Sequence, residues 1–247
     1  MTVPADDSRA ADGVVRWSAF WHPKRGHAPS EYEDAYAVSA TEAFPVHAAV
    51  ADGATESAFA RHWAAVLTER MVAQGISRAP AFRTALPAWQ DRWQRAVAEQ
   101  ASRRSWYAAA KAEQGAFAAV LGLTLAPEGT WRALSVGDCA LFHVRRGALR
   151  AAWPTADPEA FTQHPALVPS RGAHALPEPI ETQGRWKPGD AFLLATDALA
   201  AWLLRTDPVA ALALDDETLP ARVQAAREAG RLRNDDVTLL TLHLLAP

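Results

Sequence analysis

Five acidic positions in this 247-residue chain share one setting: Glu33-Asp34, Asp52, Asp138, Asp197 and Asp235-Asp236 each stand at one end of an apolar, strand-like run. A carboxylate in such a place loses hydration, a cost that something must offset. Divalent cations do so efficiently, because hard oxygen ligands suit Mg²⁺ and Mn²⁺. Carboxylates converging from several strand ends would build a two-metal site, with ions roughly 3.5–4 Å apart, that activates water and clamps a phosphoryl group for in-line displacement. Each residue alone has an ordinary alternative. Asp52-Gly53 reads as a turn, Asp197 as the N-cap of a following helix, Asp138 after Val136-Gly137 as a hairpin turn, and Asp235-Asp236 as a solvated loop. Their joint pattern is what favours the metal reading.

The elements that must position these groups are legible in the periodicity. Residues 33–40 (EDAYAVSA) and 45–51 (PVHAAVA) are short β-compatible runs, the second ending on Asp52-Gly53. From Glu56 a helical period sets Phe59, Trp63, Val66, Leu67 and Met71 on one face. A second helix after Pro80 carries Phe82, Leu86, Trp89, Trp93 and Val97, and a third helical stretch is expected to about Ala112. Strand character returns at Phe117–Leu125, Trp131–Val136 and Ala140–Arg145, with another short strand after Gly147. Between Pro154 and Pro188 lie seven of the 17 prolines, which predicts a long ordered loop or flap. Ala191–Ala195 reads as a buried strand, 197–204 as a helix directly after it, 217–230 as another helix and 236–245 as a closing strand. Strands that come in groups, rather than alternating with helices, predict an α+β fold with antiparallel sheets covered by helices.

Composition narrows the function classes. A net charge of −3, from 25 basic and 28 acidic residues, leaves no basic footprint for nucleic acid. No apolar run of about 18 residues predicts a membrane span, and no N-terminal signal pattern is visible. The lone Cys139 excludes an internal disulfide and fits a reducing compartment, so the expectation is a cytoplasmic protein. Residues 1–13 are small and polar and are expected to be loosely ordered; residues 14–247 are expected to form a single domain and to act as a monomer.

In this order and spacing, the acidic segments resemble the motifs of the type 2C metal-dependent protein phosphatases, the PPM family, in its bacterial-type subgroup. The matching stretches are Glu33-Asp34-Ala35, Val50-Ala51-Asp52-Gly53, Val136-Gly137-Asp138-Cys139, Pro188 to Leu199, and Asp235-Asp236-Val237-Thr238. The resemblance runs from about Arg16 to Leu245. It implies two stacked antiparallel β-sheets flanked by helix pairs, an αββα sandwich. It also implies a serine/threonine phosphoprotein phosphatase that hydrolyses phosphomonoesters with a metal-activated water. Carried over by motif, Asp52 would bridge two Mg²⁺ or Mn²⁺ ions, with the Gly53 carbonyl on one of them. Glu33 would ligate the second ion with Asp34 orienting its waters, Asp197 and Asp235 would ligate the first, and Asp138 with Asp197 would hold a third, weaker ion. Two residues depart from the pattern. Ala54 follows Asp52-Gly53 where many members carry His-Gly or Met-Gly, and Pro29 stands where the family has its phosphate-binding arginine. Lys24 or Arg25, in the loop HPKRGHAP, is the candidate replacement cation, because a phosphate dianion wants a fixed positive charge. The ordinary alternative is a solvated basic turn. The missing arginine also keeps a second class open, a pseudophosphatase scaffold that binds a phosphoprotein partner without turnover.

A rival signal is Cys139-Ala-Leu-Phe-His-Val-Arg145, which has the C-x5-R spacing of cysteine-dependent phosphatases. There the intervening backbone must wrap a phosphate as a loop, whereas these residues are strand formers whose N–H groups point alternately to opposite sides. The eight histidines include no H-x-x-x-H or H-E-x-x-H pair, so zinc is not indicated.

Overall fold

The computed structural model describes residues 15–39, 43–54, 59–101, 113–161, 165–214 and 218–245. β1 (Val15–His22), β2 (Ala35–Val38) and β3 (Val46–Gly53) precede two helices, α1 (Ala60–Ala73) and α2 (Ala79–Ala101). Six strands follow: β4 (Phe117–Ala126), β5 (Thr130–Val136), β6 (Ala140–Arg145), β7 (Ala148–Trp153), the two-residue β8 (Val168–Pro169) and β9 (Ile180–Arg185). β10 (Asp190–Ala195) leads into α3 (Asp197–Arg205), then come α4 (Thr218–Glu228) and a closing β11 (Val237–Leu244).

The strands make two antiparallel sheets, in the orders β1-β11-β10-β6-β7 and β2-β3-β4-β5-β9, with β8 beside β4. The pleat divides each central strand between two cores. On β3, Val46, Ala48 and Val50 face the other sheet and meet Leu121, Leu141, Phe192 and Leu240. Ala49 and Ala51 face outward, against Trp63, Leu67 and Met71 of α1 and Phe82, Trp89 and Trp93 of α2. On the opposite flank Leu193 and Leu239 meet Leu199 and Trp202 of α3 and Val223 of α4. Strands covered on both faces are apolar at nearly every position, which is why β3, β4 and β10 read as continuous hydrophobic runs. The α+β sandwich with helices on both faces is the architecture the sequence predicts.

Three local expectations need correction. β1 was not anticipated, because VRWSAFWH has no clean polar–apolar alternation: it is an edge strand whose Trp17 and Trp21 remain 46% and 42% exposed. The Pro-rich segment is not loop throughout, since Ile180–Arg185 pairs along β5 as an edge strand held by main-chain bonds. The Gly137-Asp138 step is not a hairpin turn: β5 and β6 belong to different sheets, so this step crosses between them. Gly137 has φ +102°, and a Cβ there would fall 2.5 Å from the Ala119 Cβ, so the crossing is open only to glycine. The first predicted helix begins at Ala60 rather than Glu56, with Phe59 before it in the left-handed region at φ 65°; residues 55–58 and 102–112 lie outside the described set.

Candidate active site

Strand register gathers the acidic segments at one end of the sandwich. Ala35 pairs with Ala51, which sets Glu33 and Asp34 beside Asp52. Ala195 pairs with both Ala140 and Leu239, which sets Asp197, Asp138 and Asp235 at the matching end of the other sheet. Gly53 makes the close approach possible, since a Cβ on it would meet the Glu33 carbonyl oxygen at 2.7 Å.

Asp34 is buried and held from one side. Its Oδ2 accepts hydrogen bonds from the Thr196 hydroxyl at 2.9 Å and the Thr238 hydroxyl at 2.7 Å. Because Thr238 donates to Asp34, the Tyr32 hydroxyl bonded to it must be the donor of that pair. Oδ1 of Asp34 is buried with no hydrogen-bond partner. Both carboxylate oxygens of Asp138 are buried in the same unpartnered state. Asp52, at the end of β3, has its carboxyl raised well above the usual range by burial, then by the charges of Asp197, Asp34, Asp235 and Asp138. Burial and the Asp197 charge push Asp138 up to about 7. Asp34 is raised well above the usual range by burial and Asp235 is raised by burial, with charges of neighbouring aspartates adding to each.

Asp197 lies at the start of α3. It accepts the Ala198 N–H and also the guanidinium of Arg233, which sits 3.2 Å from Asp235 Oδ2 as well. Asp236 has a different task from its neighbour. It accepts the backbone N–H groups of Lys24 at 2.8 Å and Glu33 at 2.7 Å, stapling the segment that carries Glu33 to the segment that carries Asp235. Arg227 of α4 reinforces this from below, with its guanidinium on the carbonyls of Pro23 and Asp235 and on His22.

All the predicted acidic segments therefore stand at one end of the sandwich. Among the described residues, however, no three His, Cys, Asp or Glu side chains stand close enough to hold a common ion. Arg233 and the threonine hydroxyls take carboxylate oxygens instead. The donor set nonetheless fits a hard divalent cation: three buried carboxylate oxygens lack any partner, and several carboxylates repel one another where only added positive charge could relieve them. Of the two candidate phosphate-binding cations, Lys24 is brought to the site, with Nζ 3.5 Å from Glu33 Oε2. Arg25 is exposed and is anchored through its backbone N–H to Asn234. Sequence reasoning missed the supporting roles of Tyr32, Thr196, Arg227, Arg233, Asp236 and Thr238. Thr196 and Thr238 lie inside the matched motifs, so the signal was present; Arg227 and Tyr32 carry no local signal.

Cys139 is fully buried, and burial followed by the Asp52 and Asp138 charges pushes its thiol well up. Arg145, at the far end of strand β6, is engaged by Asp190. This pair is not a thiolate phosphatase site.

The raised carboxyls make a pH prediction for the metal-free chain. An acid whose folded pKa lies above its unfolded value stabilises the fold below the unfolded pKa, and that contribution is lost as pH rises through the folded value. His47, His62, His143 and His243 are lowered by burial and act in the opposite sense, but only below their ordinary range near 6.5. Above that, the acids act alone. In EDTA, Tm should fall as pH rises from about 6.5 through about 7, where Asp138 loses its proton, each kcal/mol lost moving a chain of this size by about 2–4 °C. A flat or rising Tm by calorimetry would contradict the crowded carboxylates.

The chain belongs to the protein phosphatase 2C family, whose family model matches residues 25–229. Against curated proteins the sequence finds no match. Among solved structures it is similar to PppA, a key regulatory component of T6SS in Pseudomonas aeruginosa, at 22% identity and a TM-score of 0.57, over 95% of this chain and 100% of that one. It is also similar to the catalytic domain of the serine/threonine protein phosphatase PstP in complex with two manganese ions, at 18% identity and a TM-score of 0.60, over 94% and 99% of the two chains. The Mycobacterium tuberculosis serine/threonine phosphatase PstP/Ppp matches at 20% identity and a TM-score of 0.59, over the same shares. At such identities these likenesses speak to the fold. Among the described residues no helix is long and apolar enough to cross a membrane.

Proposed function

We propose that this chain is a metal-dependent serine/threonine phosphoprotein phosphatase that hydrolyses phosphomonoesters. The observation that carries the reading is the meeting of Glu33, Asp34, Asp52, Asp138, Asp197 and Asp235 at one end of the sandwich, with buried carboxylate oxygens left unpartnered. Family membership supports it, as does the pair of manganese ions in the similar PstP structure. Asp52, the Gly53 carbonyl, Glu33, Asp197 and Asp235 would hold two Mg²⁺ or Mn²⁺ ions, and Asp138 with Asp197 would hold a third, weaker one. Bound there, the cations would lower the pKa of water and neutralise charge on the phosphoryl oxygens.

The chain's own residues supply the rest. Thr196 and Thr238 fix Asp34 through one oxygen and leave the other free to orient a water and take its proton. Lys24, itself buried, holds a positive charge 3.5 Å from Glu33. Ala54 offers no proton to the leaving alkoxide, so that proton comes from solvent.

One observation favours a second reading, a pseudophosphatase scaffold. Arg233 occupies Asp197 and Asp235, and no three acidic side chains share a ligating point among the described residues. Hydrolysis of an aryl phosphate and a phosphothreonine peptide, with Mn²⁺ or EDTA, decides between them. Mn²⁺-dependent turnover should be seen, and Cys139→Ser should retain it within about two-fold, as expected for a buried residue remote from nucleophilic duty. Turnover that survives EDTA and disappears in Cys139→Ser would sink the metal mechanism. Absence of turnover in every condition would leave the scaffold.

A further inference from the structure

Arg233 is the feature of the site that neither the family motifs nor the metal reading uses. Its guanidinium joins Asp197 and Asp235, while its side chain remains 36% exposed. Its backbone is fixed. Asp235 N–H bonds the Arg233 carbonyl at 2.9 Å, Asn234 accepts the Arg25 N–H at 2.7 Å, and Asp236 is stapled to Lys24 and Glu33. Only the side chain is free to move. Two other cations nearby are committed: Lys24 faces Glu33, and Arg227 lies on the carbonyls of Pro23 and Asp235.

We propose that Arg233 is the phosphoryl-binding arginine of this chain, held on Asp197 and Asp235 until divalent cations take those carboxylates. The inference rests on the metal reading above. A divalent cation on Asp197 and Asp235 would compete with the guanidinium for the same negative charge and repel it as a like charge, so cation binding favours release of the side chain. From a fixed, partly exposed position beside Asp197 and Asp235, the released guanidinium has an incoming phosphate dianion as its next acceptor, and its planar fork suits two phosphate oxygens. Pro29 has no cation to offer at the position where the family resemblance implies an arginine, which leaves this role open.

The test uses the full chain as wild type, Arg233→Ala and Arg233→Lys. Titration calorimetry with Mn²⁺ on the metal-free proteins reads the competition, and inhibition by inorganic phosphate with the kcat and KM of aryl phosphate hydrolysis reads the anchor. Arg233→Ala should bind Mn²⁺ several-fold more tightly. It should also raise KM and the phosphate inhibition constant by about ten-fold or more, the scale of a lost charge-assisted bond, with kcat changed far less. Arg233→Lys should recover part of the phosphate affinity. Unchanged or weaker Mn²⁺ binding in Arg233→Ala overturns the inference, and so does phosphate inhibition within two-fold of wild type. If neither wild type nor Arg233→Ala binds Mn²⁺, the metal reading itself fails and this inference with it.

Discussion

Replacing Asp52 with asparagine should lower kcat by on the order of 10³-fold or more, the scale seen when a charge-stabilising group is lost from a phosphoryl-transfer site, while leaving the fold intact. Asp52 sits at the end of β3 and is crowded by Asp197, Asp34, Asp235 and Asp138. Asparagine keeps the shape of the side chain but removes the negative charge that a bridging ligand needs. The same crowding gives the variant a second signature. Without cations, removing one charge from a mutually repelling set relieves the others, so Tm in EDTA at pH 8 should equal or exceed that of wild type. Steady-state hydrolysis at saturating Mn²⁺, together with calorimetry in EDTA, reads both effects. More than a tenth of wild-type turnover in Asp52→Asn would remove Asp52 from the centre of the mechanism. Lost activity accompanied by a large fall in Tm would mean that the variant had merely unfolded.

The second large effect is one of stability and lies away from the site. Asp190, 1% exposed, accepts two bonds from Arg145 at 2.7 Å, one from His143 Nε2 at 2.8 Å and one from the Lys187 N–H at 2.9 Å. Burial alone would raise its pKa, but the bonds from Arg145, His143 and the Lys187 N–H outweigh burial and hold it below the ordinary value. His143 is kept neutral by burial, so Nε2 carries the proton it donates. Asp190→Ala would strand a guanidinium and an imidazole N–H, at a cost of about 3–5 kcal/mol, or roughly 10 °C in Tm. A folded-state pKa that is depressed means stability present above the unfolded value and lost as pH falls through the folded one. The gap between wild type and Asp190→Ala should therefore narrow below about pH 4, the ordinary carboxylate range. Asp190 and Asp197 bracket β10, roughly 20 Å apart at about 3.3 Å per residue, so turnover of the folded variant at 25 °C should stay near that of wild type. A Tm loss of less than about 3 °C would show that the cluster contributes little.

How much of this was legible beforehand depended on whether a residue's neighbours in sequence were also its neighbours in space. The helical faces of Phe82, Trp89 and Trp93 were readable because a 3.6-residue period is local, and all three are buried. β3, β4 and β10 were readable because strands covered on both faces are apolar at nearly every position, and β11 by its alternation. β1 and β9 were not, because edge strands are held by main-chain bonds and leave side chains such as Trp17 and Ile180 in solvent. Likewise Gly137-Asp138 resembles a hairpin turn locally, and only the assignment of β5 and β6 to different sheets makes it a crossing.

The sequence by itself determined the family and the identity of the acidic residues, since motif spacing survives translation into any coordinate frame. It also excluded the cysteine mechanism, because β-forming residues between Cys139 and Arg145 cannot wrap an anion. Tertiary structure alone decided which carboxylates are free. Asp34 keeps one oxygen unbound because Thr196 and Thr238, from two other strand ends, take the other. Asp236 becomes a staple while its neighbour Asp235 faces the site. Arg233 reaches Asp197 across 36 residues of chain. Each of these follows from hydrogen-bond geometry between segments distant in sequence, and no local pattern encodes such geometry.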